Sequence, residues 1–100
     1  MGSSKLDLAK VVSALNSSTR RKILSALEKD HLTLQEIFEK LSKAGVEIKY
    51  RESVYRALEK LEDAGLIEKF YEKQKGICYK LVMRKIEIDL IDGKVSIKEK

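Results

Sequence analysis

The side chains best suited to chemistry in this chain lie close together, between residues 46 and 67. They are cationic, phenolic and hydroxyl groups, which bind a partner by charge and hydrogen bonding rather than by covalent catalysis. An arginine in particular donates a planar fork of hydrogen bonds that suits phosphate and other planar acceptors. The set consists of Lys49, Tyr50, Arg51, Ser53, Tyr55, Arg56 and Lys60.

Covalent catalysis and metal binding are not favoured by the remaining residues. The chain has one histidine, His31, and one cysteine, Cys78, which stand 47 positions apart. This spacing gives neither a nucleophile with its base nor a metal-binding pair, and His31 fits a turn instead. No glycine-rich phosphate loop is present. We therefore expect no enzyme activity, no metal site and no cofactor.

A helix over about residues 50–64 must position the cations and tyrosines. An apolar stripe at helical spacing predicts it, and Gly65 ends it. The stripe consists of Val54, Ala57, Leu58, Leu61 and Ala64. No capping side chain stands just before Tyr50. Either the helix begins later, near Ser53, or its first N–H groups are left for an anion such as phosphate.

Three earlier helices are predicted over about residues 5–15, 18–29 and 33–43. Thr33 and Glu36 form a capping box, which marks the start of the third. Arg20, Arg21 and Lys22 begin the second helix, and a solvated helix start is favoured over contact with phosphate for these three cations.

The first helix carries an apolar stripe wider than one surface helix needs. Its members are Leu6, Leu8, Val11, Val12 and Leu15. Two interpretations stay open: a well-buried packing helix, or a dimer interface with the same helix of a second subunit.

Two β-hairpins follow the fourth helix. Strands over about residues 66–71 and 77–84 flank the loop 72–76, where Lys73 and Lys75 could follow a phosphate backbone or simply keep water.

A second hairpin is predicted over residues 86–98 by the Asp92-Gly93 turn, which sets Leu90 opposite Val95 and Ile88 opposite Ile97. Glu87 then faces Lys98. An isolated two-stranded hairpin is marginal in water, so it must pack on its own domain or on a partner subunit.

Composition favours an acidic partner. The net charge is +5, and the segments 49–60 (+2) and 69–80 (+3) together account for all of it, as expected for a nucleic-acid-binding surface. The length predicts one domain over residues 1–100, with residues 85–100 as a C-terminal extension. No apolar run can span a membrane and no signal peptide is recognisable, so a cytoplasmic location is expected.

Three helices, a fourth polar-faced helix and a hairpin resemble the α+β winged helix-turn-helix domain of prokaryotic or archaeal transcription regulators. Residues 15–27, LNSSTRRKILSAL, are similar to the start of this domain in ArsR-like repressors. Residues 53–67, SVYRALEKLEDAGLI, resemble the recognition helix and first wing strand of ArsR-, MarR- and PadR-like families.

The resemblance implies sequence-specific binding of double-stranded DNA by a homodimer, with helix 50–64 in the major groove and the wing tip 72–76 on the backbone. It implies that Arg51 and Arg56 contact guanine or phosphate. Base edges or backbone would be contacted by Tyr50, Ser53 and Tyr55, and phosphate by Thr33, Gln35, Lys73 and Lys75. Residues 36–43 contain no Cys or His, which argues against a metal sensor.

One alternative belongs to another class. The same fold serves as a protein-interaction module in larger assemblies, with Tyr50, Arg51 and Tyr55 as anchors. The sequence does not determine the operator, the effector or the direction of regulation. It also does not determine whether Cys78 forms a disulfide between subunits.

Overall fold

The computed structural model describes residues 6–98. The helices are α1 (Leu8–Leu15), α2 (Ser18–Ala26), α3 (Leu34–Lys43) and α4 (Arg51–Asp63). The strands are β1 (Leu32–Thr33), β2 (Ile67–Glu72), β3 (Gly76–Leu81), β4 (Ile86–Ile88) and β5 (Val95–Ile97). The predicted α+β winged helix-turn-helix fold with a second hairpin is confirmed.

A single apolar cluster joins α2, α3 and α4 to the three-stranded sheet. From α4 it takes Val54, Ala57, Leu58 and Leu61, the stripe that the sequence predicted. Ile23 of α2 and Ile37 of α3 are fully buried in the same cluster. Since burying one such side chain stabilises a fold by about 1.5–3 kcal/mol, this stripe fixes the rotation of α4 about its axis.

The sheet has the strand order β1-β3-β2, and all of its pairs are antiparallel. Strand β1 was not predicted: Leu32 pairs with Tyr79 and Thr33 pairs with Cys78. Strands β2 and β3 form the predicted wing, in which Ile67 pairs with Leu81 and Glu72 pairs with Gly76. The wing therefore ends in a short loop, residues 73–75.

Several predicted helix ends need correction. Helix α1 begins at Leu8, because the Asp7 side chain accepts a hydrogen bond from the Lys10 N–H at 3.0 Å; residue 5 lies outside the described residues. Helix α2 ends at Ala26 rather than near residue 29. Helix α4 begins at Arg51, close to the predicted start at about residue 50, with Tyr50 as its uncapped N-cap residue; of the two alternatives, the later start near Ser53 is wrong.

The predicted register of the second hairpin is wrong by two residues. Ile86 pairs with Ile97 and Ile88 pairs with Val95, leaving a loop over residues 89–94 instead of a two-residue turn. The Asp89 carboxylate accepts hydrogen bonds from the N–H groups of Ile91 and Asp92, at 2.8 and 3.1 Å. These side-chain hydrogen bonds hold the N–H groups of Ile91 and Asp92 within the loop, away from strand pairing.

The second hairpin contacts its own chain at the start of α1. A Cβ built on Gly93 would lie 3.4 Å from Cδ2 of Leu8. Several of its apolar side chains are nonetheless open to solvent: Ile88, Leu90, Ile91 and Ile97. Within residues 6–98, none of the helices has the length and apolarity needed to cross a bilayer.

Candidate nucleic-acid interface

The outer face of α4 is open to solvent along its whole length. Tyr50 is 67% exposed and Tyr55 is 40% exposed. The polar members of the predicted set are exposed as well: Lys49, Arg51, Ser53, Arg56 and Lys60. The apolar stripe faces the core, so the tyrosines and arginines all lie on the solvent-exposed surface of the helix and its first turn.

Arg51 is held by two residues of α3. Its guanidinium carbon lies 5.7 Å from the centre of the Phe38 ring, within the range of a cation–π contact. Its Nε donates a hydrogen bond to Oε1 of Gln35. The Nε2 group of Gln35 in turn donates to Oε2 of Glu39 at 2.8 Å. Gln35, predicted to meet phosphate, is therefore engaged with Arg51.

The first turn of α4 has no side-chain cap. Tyr50 extends into the helix with backbone angles φ −123° and ψ 142° and makes no capping hydrogen bond. Arg51 then places a cation at the positive end of the helix dipole, where positive charge is disfavoured. The helix start thus presents N–H groups and a guanidinium, both of which suit an anionic partner.

Arg56 forms an ion pair with a carboxylate of its own helix. Its Nη2 lies 3.3 Å from Oε2 of Glu52, one helical turn earlier. The two side chains are 75% and 65% exposed, and exposed pairs of this kind are worth about 0–1 kcal/mol. A partner with a better acceptor can therefore take Arg56 from Glu52 at little cost.

Lys75 at the wing tip points back to the protein. Its Nζ lies 3.1 Å from Oε1 of Glu36. The same oxygen accepts the Thr33 N–H at 2.9 Å, and the Thr33 hydroxyl accepts the Glu36 N–H at 3.1 Å. The hydrogen bond from the Thr33 backbone, helped by Lys75, lowers the pKa of Glu36.

Of the residues predicted to contact phosphate near the wing tip, some are engaged within the protein and one is open to solvent. Thr33 and Lys75 both have partners within the protein, whereas Lys73 is exposed and forms no ion pair with residues 6–98. Lys73 is therefore the wing-tip cation that is open to a phosphate without first breaking a contact.

Two arginines of α2 have a role that the sequence analysis missed. Arg20 donates from Nε to the Ala14 carbonyl at 2.7 Å and from Nη2 to the Ser13 carbonyl at 3.0 Å. Arg21 donates from Nη1 to the Leu15 carbonyl. Helix C-terminal carbonyls attract such cations. The sequence signal for this role was that no glycine follows α1, which leaves the last carbonyls of that helix without the usual glycine cap.

The candidate dimer residues of α1 divide by exposure. Val11 is fully buried and Leu15 packs against the core of its own chain. Leu6 and Leu8 are half-buried, and Val12 is 51% exposed. Val12 therefore has the most surface to offer a partner.

The family described as the ferric uptake regulator family matches residues 14–96 of this chain. No curated protein sequence gives a significant match.

Solved structures of metal-uptake regulators share this fold. The ferric uptake regulator of Vibrio cholerae has a TM-score of 0.62 at 24% identity, over 92% of this chain and 76% of that one. A zinc-bound manganese uptake regulator has a TM-score of 0.64 at 28% identity, over 93% and 74% of the two chains. An ArsR-like transcriptional regulator from Rhodococcus sp. RHA1 has a TM-score of 0.59 at 25% identity, over 75% and 64%.

These likenesses confirm the predicted resemblance to winged-helix transcription regulators. They do not confirm a particular likeness to the ArsR, MarR or PadR families. The likeness to metal-uptake regulators also raises the question of a metal site.

The possible metal ligands within residues 6–98 do not fit a transition-metal centre. His31 is exposed and packs edge-on against Phe70, with ring centres 5.2 Å apart. Cys78 is fully buried, with its sulfur 3.7 Å from Oε1 of Glu72. No group of three or more His, Cys, Asp or Glu side chains within residues 6–98 could hold a metal ion. The soft ligands that such metals prefer are thus not brought together here.

Proposed function

Since this chain belongs to the ferric uptake regulator family, whose members are DNA-binding transcription regulators, we propose that it binds double-stranded DNA sequence-specifically as a homodimer. Helix α4 enters the major groove, and the wing tip lies on the phosphate backbone. The observation that carries this proposal is the open face of α4, where two arginines and two tyrosines project while the opposite face is fixed in the core.

The side chains of this face have different proposed contacts on DNA, according to their length and charge. Arg51 and Arg56 contact guanine or phosphate, since a guanidinium donates two parallel hydrogen bonds to either. Tyr50, Ser53 and Tyr55 contact base edges or backbone. Lys49, Lys60 and Lys73 approach phosphates, which position the protein without reading sequence.

The homodimer is proposed from apolar surface that the chain leaves exposed. Val12 of α1 and the hairpin side chains Ile88, Leu90, Ile91 and Ile97 are open to solvent. Leu90 and Ile91 are 90% and 95% exposed. A partner subunit that packed on them would remove this apolar surface from water. Two recognition helices would then meet successive major grooves about 34 Å apart.

Most of the affinity is electrostatic. The net charge of +5 equals the sum over residues 49–60 and 69–80, which hold the N-terminal part of α4 and the wing tip, and each neutralised phosphate releases condensed counterions. The logarithm of the association constant therefore falls linearly with the logarithm of salt concentration.

Selection of bound sites from random duplex DNA tests this proposal. A two-fold repeat in the recovered sequences supports both DNA binding and dimerisation, whereas recovery of no preferred sequence contradicts sequence-specific binding. Salt titration of the recovered duplex separates this function from the protein-interaction alternative, because a contact centred on tyrosines responds far less to salt.

A further inference from the structure

Arg51 differs from the other arginine of α4 in the kind of partner that holds it. Arg56 is paired with a carboxylate, Glu52, which offsets its charge. Arg51 instead donates its Nε to the neutral amide of Gln35 and lies over the Phe38 ring. These contacts restrict the guanidinium without neutralising it.

The contact between Gln35 and Arg51 is itself oriented. Gln35 gives its Nε2 group to Glu39 at 2.8 Å, which turns its oxygen toward Arg51. An amide in the opposite orientation would set its donor against the Nε–H group, so Glu39 selects the productive one.

The position of Arg51 adds to this arrangement. It is the first residue of α4, and the N-terminal residues of a recognition helix are those that contact base edges. With Nε occupied, both Nη groups stay available as the fork that matches O6 and N7 of guanine. A guanidinium held in place before binding loses less conformational freedom when that contact forms.

We propose that Arg51 determines sequence specificity at one base pair of each half-site and that Gln35 is its positioning residue rather than a phosphate contact. This inference rests on the proposed function. Gln35 acts through Arg51, so its removal has an effect only while Arg51 is present.

The test is a double-mutant cycle on a duplex recovered by site selection. Affinities are measured for the wild type, Arg51→Ala, Gln35→Met and the double variant, on that duplex and on all of its single base-pair variants. Methionine keeps the length of glutamine and loses the amide; Gln35→Ala serves as a second variant. Both sites are exposed, and circular dichroism verifies the fold. Lys40→Ala, at another exposed position of α3, is the matched control.

Arg51→Ala is expected to weaken binding about 10-fold or more and to abolish discrimination at one base pair in each half-site. Gln35→Met is expected to weaken binding several-fold and to reduce discrimination at that same base pair, with no further loss in the Arg51→Ala background.

Two outcomes overturn the inference alone. If Arg51→Ala weakens binding equally on every duplex, Arg51 contacts phosphate. If Gln35→Met costs the same with and without Arg51, Gln35 contacts DNA itself. If the wild type binds no duplex, the proposed function fails with it.

Discussion

Lys75 and Glu36 join the tip of the wing to the first turn of α3, with 3.1 Å between Nζ and Oε1. The oxygen that meets Lys75 also accepts the backbone N–H of Thr33, which caps the same helix. One carboxylate thus fixes the start of α3 and the position of the wing loop. Its neighbour Gln35 holds Arg51 of α4, so α3 supports both proposed DNA contacts.

Glu36→Gln tests the charge of this carboxylate. Glutamine can still accept from the Thr33 N–H, but the ion pair to Lys75 is lost. Both side chains are more than a third exposed, so the expected loss in the free energy of unfolding at pH 7 is only about 0.2–1 kcal/mol. Urea unfolding measures it.

The pH dependence of that loss has a defined sign. Because the folded state lowers the pKa of Glu36, its stabilising contribution is fully present above the ordinary value of 4.5 and is lost as pH falls through the lower folded-state value. Wild type and Glu36→Gln should therefore converge in acid. A gap that stays constant at every pH would show that the charge is not responsible.

Arg20→Ala is expected to destabilise the fold by about 1–3 kcal/mol, since two charge-assisted hydrogen bonds to α1 carbonyls are removed. DNA affinity per folded molecule should not change. Lys22→Ala, an exposed position of the same helix, is the control and should stay within about 0.5 kcal/mol of the wild type. Unaltered stability together with weaker DNA binding would instead assign Arg20 to phosphate.

Cys78 should be unreactive in the folded protein. It is fully buried, and this burial raises the pKa of its thiol, with Glu72 adding to the effect. The thiolate is the reactive form, so modification by a thiol reagent should proceed no faster than unfolding. Non-reducing electrophoresis should show no disulfide-linked dimer, with Cys78→Ser as the control. Rapid labelling under native conditions would contradict this account.

Chelation of metal should leave DNA affinity unchanged. His31 packs against Phe70, and the Cys78 sulfur lies near Glu72. Within residues 6–98, neither side chain belongs to a group of three or more that could hold a metal ion. The measurement is anisotropy titration of the selected duplex with EDTA, and then with added zinc, manganese or ferrous ion. A change in affinity of more than about 10-fold, equal to 1.4 kcal/mol, on chelation would reveal a site that these donors do not explain.

Local sequence signals predicted most of the fold. The capping box of Thr33 and Glu36 formed as expected, and Gly65 adopts a positive φ of 82° at the end of α4. These features depend on residues three or four positions apart, which the sequence displays directly.

Features that depend on distant residues could not be predicted in the same way. Strand β1 has two residues and exists only through pairing with β3, as between Leu32 and Tyr79. The second hairpin does not form the predicted two-residue Asp-Gly turn. The Asp89 carboxylate instead accepts hydrogen bonds from the N–H groups of Ile91 and Asp92 in the loop. The contact of Gln35 with Arg51 joins two helices across 16 positions, and no periodicity reports it.

The most direct test of the central claim is the affinity of Arg56→Ala for the selected duplex. Its pair with Glu52 is exposed and weak, so the substitution should barely alter folding. Arg84→Ala removes the same charge at a residue paired with Glu28, outside α4, and is the matched control. We predict a loss of about 1–3 kcal/mol, or about 5- to 160-fold, for Arg56→Ala if it reads a base, and a smaller one for Arg84→Ala. Equal affinity of Arg56→Ala and wild type for every duplex would contradict entry of this face of α4 into DNA.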